Sequence, residues 1–325
     1  MNKILISAAF ATLLFAGQAA GEINQNVGTT GVQSLKIGIG ARAVGMGEVF
    51  CAVADDISTI YWNPAGLSRL GGMQVTASHM MLFQGITYEH AALGVPLSDK
   101  LSFGLGASYF SAGELEARSA DTEDYDGLFG AYDIVGTGAV SYKLGMLSLG
   151  ASAKFIYQSI GETLGGAESG GYLATGLAFD VGMHFATEGV EFGKGVLAGA
   201  VVQNLGQAIA FAGPGGFTGA DNQLPRNIKF GVAYKDVENN LLIGSDVNIP
   251  SDNNVNIHVG GEYYLSKFFI LRLGFKTTTL SDLGFLSGLS AGAGFNLQKM
   301  QIDYAYVPYG PLGWLTHRIS LLTRF

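Results

Sequence analysis

From residue 73 to its carboxy-terminus the chain alternates apolar and polar residues in runs of about ten, broken by glycine-rich or polar stretches. The alternation marks fourteen runs, at approximately 73–83, 86–96, 100–110, 132–144, 147–158, 174–186, 195–204, 226–235, 240–249, 255–265, 268–276, 287–297, 299–307 and 316–325. Leu101, Phe103, Leu105, Ala107 and Tyr109 share one face, opposite Ser102, Gly104, Gly106 and Ser108. Leu177, Phe179, Val181, Met183 and Phe185 likewise oppose Asp180, Gly182 and His184. Period two over about ten residues predicts tilted membrane strands with lipid on one side and a polar lumen on the other. In the last run Ile319, Leu321 and Phe325 face one way and Arg318, Ser320 and Arg324 the other. Phe325 is therefore expected to end a ring-closing strand and to carry the signal read by the barrel-insertion machinery.

The connections support the same architecture. Links after odd-numbered runs include the long ones, 111–131, 159–173, 205–225 and 277–286. Those after even-numbered runs are tight, at 97–99, 145–146, 236–239, 266–267 and 298, with 187–194 intermediate. Long external loops alternating with short periplasmic turns are the pattern of outer-membrane barrels. A soluble sandwich has shorter strands and packs its aromatics inward. Here the polar face carries Lys154, Asp180, His184, Lys229, Asp246, His258, Glu262, Arg272, Lys276, Asp303, Arg318 and Arg324, so the interior is expected to be hydrated or plugged. Tyr109, Tyr157, Tyr263 and Phe325 lie near ends of the apolar faces, where interfacial girdles form. The fold class expected is all-β, a transmembrane antiparallel barrel of about fourteen strands over 73–325.

Composition narrows the function classes. With 49 glycines and 7 prolines the chain suits strands and tight turns better than helices. A single cysteine, Cys51, rules out an intramolecular disulfide and any Cys-x-x-Cys zinc cluster. The net charge of −8 opposes nucleic-acid binding, which needs a basic surface. At the amino-terminus Lys3 precedes an apolar run from Ile4 to Gly17 and then small residues, which predicts a secretory signal peptide over 1–20, cleaved after Ala19, Ala20 or Gly21. That run is too short to span a bilayer.

Residues 21–72 do not alternate. They hold Gly40-Ala41-Arg42-Ala43-Val44-Gly45-Met46-Gly47, then Ala54-Asp55-Asp56-Ile57-Ser58-Thr59-Ile60-Tyr61-Trp62-Asn63-Pro64-Ala65-Gly66-Leu67. Short helical character runs to Trp62, and Asn63-Pro64 forces a turn, because a residue before proline leaves the α region. A compact plug at the periplasmic end of the barrel is the expected structure. Gly45-x-Gly47 lacks the Lys-Ser/Thr and the βαβ context of a nucleotide loop. The runs "GARAVGMGEVF", "ADDISTIYWNPAGLS", "VVQNLG" at 201–206 and "THRISLLTRF" resemble the PorV/PorQ family, within the wider group of FadL-like outer-membrane transport barrels. The resemblance implies a fourteen-stranded barrel with an amino-terminal hatch bearing the Asn63-Pro64-Ala65 motif, preceded by Asp55 and Asp56.

No Ser/His/acid set is recognisable by spacing, and His79, His90, His184, His258 and His317 are scattered, so neither catalysis nor a cofactor is expected. His184 and His258 fall on the lumen face, where a hydrogen-bonded structural role is the expectation. The acidic run Glu114, Glu116, Asp121, Glu123, Asp124 and Asp126 reads as a solvated external loop, with divalent cations bridging to lipid as the alternative. Phe211, Pro214 and Phe217 make a glycine-rich apolar loop that caps the pore, touches cargo or folds over the lumen. The leading function is passive passage of small hydrophobic molecules, gated by Asp55, Asp56, Asn63, Pro64 and Ala65. The alternative is a type IX secretion component that binds or shuttles secreted proteins, and the third is an outer-membrane lipid enzyme. Expected partners are outer-membrane lipids, the insertion machinery and the hydrophobic ligand or protein cargo.

Overall fold

The computed structural model describes residues 25–118, 125–163, 171–187, 194–278, 284–309 and 316–325. The proposed signal peptide lies outside them, as do Asp121, Glu123 and Asp124 of the acidic run. Seven strands come first: β1 (Gln74–Met81), β2 (Thr87–Pro96), β3 (Leu101–Arg118), β4 (Tyr125–Leu144), β5 (Leu147–Thr163), β6 (Tyr172–Ala186) and β7 (Lys194–Gly206). A short hairpin follows, β8 (Ala212–Gly213) and β9 (Phe217–Thr218). The remaining seven are β10 (Asn227–Asp236), β11 (Leu241–Pro250), β12 (Asn256–Tyr264), β13 (Phe269–Lys276), β14 (Leu289–Leu297), β15 (Met300–Tyr306) and β16 (His317–Arg324). Among the described residues every strand-to-strand pairing is antiparallel, and β1 pairs β16 from Gln74–Arg324 to Met81–His317. With β7 on β10 and the β8–β9 hairpin hung on β6, fourteen strands close into one ring. Closure leaves no edge, which a bilayer demands because it cannot hydrate unpaired backbone.

Two expected loops are partly strand. The segments 111–131 and 159–173 read as connections, yet β3 runs on to Arg118, β4 begins at Tyr125 and β5 reaches Thr163. Pairing resumes after a bulge between Ser111 and Glu114, where Gly113 adopts φ 77°, and continues from Glu114–Gly130 to Ala117–Gly127. A glycine at positive φ lets the strand absorb the extra residue and keep its partner.

The alternation reads out as expected. Outward-facing Leu177, Val181 and Leu273 are 56%, 56% and 72% exposed. Such bare leucines and valines on every side are compatible only with lipid. Inward-facing Lys154, Asp180, His184, Asp246, Glu262, Arg272, Asp303 and Arg318 are buried.

They are buried because residues 31–70 occupy the lumen. This segment contains one-turn helices α1 (Ala41–Gly45) and α2 (Thr59–Trp62), with 3₁₀ turns at Gln33–Lys36 and Pro64–Arg69. Trp62, Phe50, Ile39, Met46, Ile57 and Leu67 are at most 1% exposed. Each buried side chain of this kind contributes roughly 1.5–3 kcal/mol over leaving it in water. The segment is not confined to the short-turn end, where a plug was expected. Gly31 N–H donates to Gln223 O (2.9 Å) and Lys36 Nζ meets Asp252 Oδ2 (2.8 Å), both at the long-loop end. At the other end Phe325 N–H donates to Met73 O (2.9 Å). The long-loop residues supply backbone and carboxylate partners to 30–36, which draws the segment through the full depth of the barrel.

Candidate functional site

The segment winds around the inner wall, and glycines make room for it. A Cβ at Gly292 of β14 would meet Gly45, and one at Gly274 of β13 or Gly260 of β12 would overlap the Met46–Gly47 backbone. The contact then passes to Gly231 of β10 and Gly199 of β7, which face Cys51 and Ala52. Gly182 of β6 and Gly150 of β5 face Asn63, Pro64 and Ala65. Gly104 of β3 faces Ile60 and Leu67. Absence of a side chain is what lets one backbone approach another this closely.

The Asn63-Pro64-Ala65 turn is one anchor. Asn63 is extended (φ −162°, ψ 102°), as a residue before proline must be, and Pro64 opens the next turn. Asn63 Oδ1 accepts from Ala65 N–H (3.2 Å), while its Nδ2 donates to Cys51 O (2.9 Å) and Met183 O (3.0 Å). One side chain thus ties the turn, the preceding loop and strand β6 together. Ser141 Oγ donates to Ala65 O at 2.9 Å, fixing the turn to β4.

The second anchor is ionic and lies elsewhere, against β12–β15. Asp56 Oδ1 accepts from Ser58 N–H (2.9 Å), forming the turn that leads into α2. Its Oδ2 accepts from Arg42 Nη1 (2.7 Å), which also donates to Asp55 Oδ1 (2.6 Å). The same guanidinium donates from Nε and Nη2 to the two oxygens of Glu262 (3.0 and 2.6 Å). Glu262 Oε2 accepts from Arg272 Nε (2.7 Å), and Arg272 Nη1 lies 2.8 Å from Asp303 Oδ1. Lys235 Nζ stands 3.9 Å from Asp55. Burial pushes the Asp55 carboxyl up, but Arg42, Lys235 and Arg69 together hold it well below the usual carboxylate range. For Arg42, burial opposes the charge and the three carboxylates overcome it, so the guanidinium stays ionised.

The predicted site residues therefore divide. Asp55 and Asp56 belong to the ionic anchor, and Asn63, Pro64 and Ala65 to the turn anchor on the other side of the barrel. Arg42, which joins segment to wall, was not singled out from sequence. The available signal was a lone arginine within an otherwise small and apolar run, with carboxylates at 55, 56 and 262. His184 Nε2 contacts Ala52 O (2.7 Å), and His258 Nε2 lies 3.3 Å from Thr278 Oγ1, so both lumen histidines sit in hydrogen-bonding contacts. His90 Nδ1 meets Ser108 Oγ at 2.9 Å, but its Nε2 has no acid partner to complete a triad. Among the described residues no cluster of three or more His, Cys, Asp or Glu could hold a metal.

The interior combines paired charges with apolar clusters. The ionic anchor lies against β12–β15 and a second buried ion pair, Lys154–Asp180, on β5 and β6. Apolar clusters line both sides: Phe50, Val53 and Trp62 pack with Leu197, Ala233, Leu242 and Ala305, and others gather against β1–β6. Val32, Leu35, Val135, Ile156, Ala178, Ile209 and Leu224 form one at the long-loop end, with Phe211 packed on it. Ile39, Met80 and Tyr88 form another, joined by Tyr61 and Phe110. Phe211 thus folds over the lumen, while Phe217 is exposed and meets Tyr172 edge-on at 5.2 Å. At the short-turn end a half-open vestibule of about 890 Å³ is lined by Arg69, Lys143, His184, Ser102, Ser148 and Asp99 among others. Trp62, Phe50, Ile57 and Leu67 are fully buried inside the barrel and line neither that vestibule nor the long-loop mouth.

Known barrels share this architecture. The chain is similar to the P. putida toluene transporter TodX, with a TM-score of 0.60, 14% identity and coverage of 89% of this chain and 99% of that one. The Ralstonia pickettii toluene transporter TbuX matches with a TM-score of 0.55, 14% identity and coverage of 89% and 98%. A Pseudomonas aeruginosa FadL homologue gives 0.54, 14%, and coverage of 88% and 98%. Identities this low establish a common fold. Among curated proteins none matches the chain. The pattern of one protein family spans residues 7–319, nearly the whole sequence, and the chain belongs to that family, the uncharacterised protein family UPF0164.

Proposed function

We propose that this chain is an outer-membrane barrel, exported through a cleaved signal peptide, that passes small hydrophobic molecules by displacement of its amino-terminal segment. The observation that carries this reading is the apolar packing of the segment at the long-loop end, beside Leu35 and Tyr61. Ionic contacts hold the segment to β12–β15, while at the long-loop end its packing against Val135, Ile156 and Tyr88 is apolar, bounded by the hydrogen bonds of Ser34 to Asp133 and of the Asn63-Pro64-Ala65 turn to β4 and β6. Apolar contacts are non-directional and can re-form around a guest, whereas paired buried charges cannot separate without large cost. The segment can thus stay tethered along one wall while an apolar molecule enters beside Leu35 and Tyr61 along the other. The Asn63-Pro64-Ala65 turn sets how far that side opens. The structural relatives named as toluene transporters make a hydrocarbon a natural first ligand to try.

A second reading rests on the motif resemblance to PorV/PorQ proteins, carried by "ADDISTIYWNPAGLS" and "VVQNLG". It makes the barrel a type IX secretion component that receives or shuttles secreted proteins. One experiment separates the two: isolation of the tagged barrel from native outer membranes, with mass spectrometry of all that accompanies it. A bound apolar molecule without protein cargo supports passage. Secreted proteins sharing a carboxy-terminal sorting domain support the secretion role and overturn passage.

A further inference from the structure

The long-loop mouth contains a cavity lined in part by Leu35 and Tyr61 of the segment and by Asn227 and Lys229 of β10. Lys229 is only 6% exposed, yet among the described residues its Nζ has no hydrogen-bond acceptor and no ion-pair partner. It stands 4.7 Å from the centre of the Trp62 ring, a contact that favours the protonated amine. The sealed, unpartnered atoms of the cavity wall include Oδ1 of Asn227 and of Asn248 but not Lys229 Nζ, which is open to the cavity. Asn227 lies two residues back along β10 on the same inward face. Only its Oδ1 is sealed, which leaves Nδ2 as a second donor at the cavity.

Most other charges around the cavity are already matched. Lys36 pairs with Asp252 (2.8 Å), Lys276 with Glu48 (2.7 Å) and Lys154 with Asp180 (2.7 Å). Asp246, the further carboxylate that acts on Lys229, accepts from Phe50 N–H (3.0 Å) and Cys51 N–H (2.9 Å). Arg318, whose charge acts on Glu48, donates to Gly38 O and Tyr309 Oη and, among the described residues, to no carboxylate. Lys229 and Arg318 against Asp246 leave one positive charge in excess. A buried charge without a partner is costly, and an anion admitted from the mouth offsets it. A dianion would overshoot beside Glu48 and Asp252. The cavity measures about 100 Å³ where one water on the same measure needs roughly 10–15 Å³, so a monovalent ion fits with part of its hydration.

We infer that Lys229 and Asn227 form a binding site for one small monovalent anion, either a free halide or the carboxylate of a small guest. The anion accepts from Lys229 Nζ and Asn227 Nδ2. The site shares Leu35 and Tyr61 with the proposed apolar route but does not require passage, since binding is read on the isolated barrel without transport.

The test is chloride NMR line broadening on the full-length barrel in non-ionic detergent, with sulfate as the background anion. The expected result is saturable broadening, weakened at least tenfold in Lys229→Met, checked for heat-modifiable migration as a folded barrel; Lys229→Gln serves if that variant does not assemble. Bromide, cyclohexanecarboxylate and the neutral cyclohexylmethanol are then added as competitors. Displacement by bromide alone assigns the site to a free halide, and displacement by cyclohexanecarboxylate as well assigns it to a guest's carboxylate too. Non-saturable broadening in the unaltered protein overturns the inference and leaves Lys229 offset by Asp246 or uncharged. Broadening unchanged in a folded variant, or displacement by cyclohexylmethanol equal to that by the carboxylate, overturns it as well.

Discussion

Replacing Arg42 by alanine should release the amino-terminal segment from β12–β15 while the barrel stays closed. The guanidinium makes four hydrogen bonds, to Asp55, Asp56 and both oxygens of Glu262. Without it, three carboxylates lie together with Arg272 and the more distant Lys235 and Arg69 as their remaining cations. Removing one partner of a buried ion cluster costs about 3–5 kcal/mol, because the stranded charges keep their desolvation penalty. At 1.36 kcal/mol per tenfold, the detached population should rise roughly a hundred- to several-thousand-fold. The fourteen-strand ring contains neither residue 42 nor its helix, so its own hydrogen bonds are untouched. Hydrogen exchange resolved by residue is the assay: amides over 41–62 should lose protection by that factor, and amides of β12 and β13 should not. Arg42→Lys should recover part of the protection, since one ammonium cannot reproduce the two-pronged contact with Glu262. Unchanged protection over 41–62 in Arg42→Ala would refute the ionic anchor.

Three further outcomes are expected. Asn63→Ala removes the side-chain bonds to Cys51 O, Met183 O and Ala65 N–H and should lower protection of 51–66 by about 1–3 kcal/mol; it should change permeability more than barrel melting, and equal loss of both would make the turn merely structural. Gly260→Val places side-chain carbons on the Met46 backbone and should displace the segment, whereas Gly136→Ala, which meets open space, should leave exchange and melting unchanged; similar effects of the two would remove the close-approach argument. Deleting Phe325, 63% exposed on the closing strand, should reduce outer-membrane levels, and undiminished levels would count against a role in insertion.

Much of this was legible in the sequence and some was not, for physical reasons. A membrane strand must show lipid one face and lumen the other, so its period is written in the residues; Leu177 and Asp180 could be assigned to opposite faces before any coordinates. The extended β3–β4 hairpin was harder. Above the membrane both faces meet water, the alternation loses its cause, and Glu114 and Glu116 read as loop although they lie in a paired strand. The segment's path was invisible for a different reason. Its short turns follow the wall rather than a period of their own, and the wall's signature is a glycine such as Gly260 or Gly274, which in sequence looks like turn chemistry. Asp55 and Asn63 stood out as a motif, but nothing local showed that they grip opposite sides of the barrel. That depends on Glu262 and Met183, more than a hundred residues away.

Passage itself is tested most directly by uptake of labelled toluene in a host lacking channels of its own, comparing the intact barrel, an empty vector and a barrel whose segment is cross-linked to the β1–β6 wall. The account predicts uptake above the vector by the intact barrel and its loss on cross-linking, with restoration when the link is reduced. Uptake equal to the vector with the barrel assembled at normal levels, or uptake indifferent to the cross-link, would contradict it.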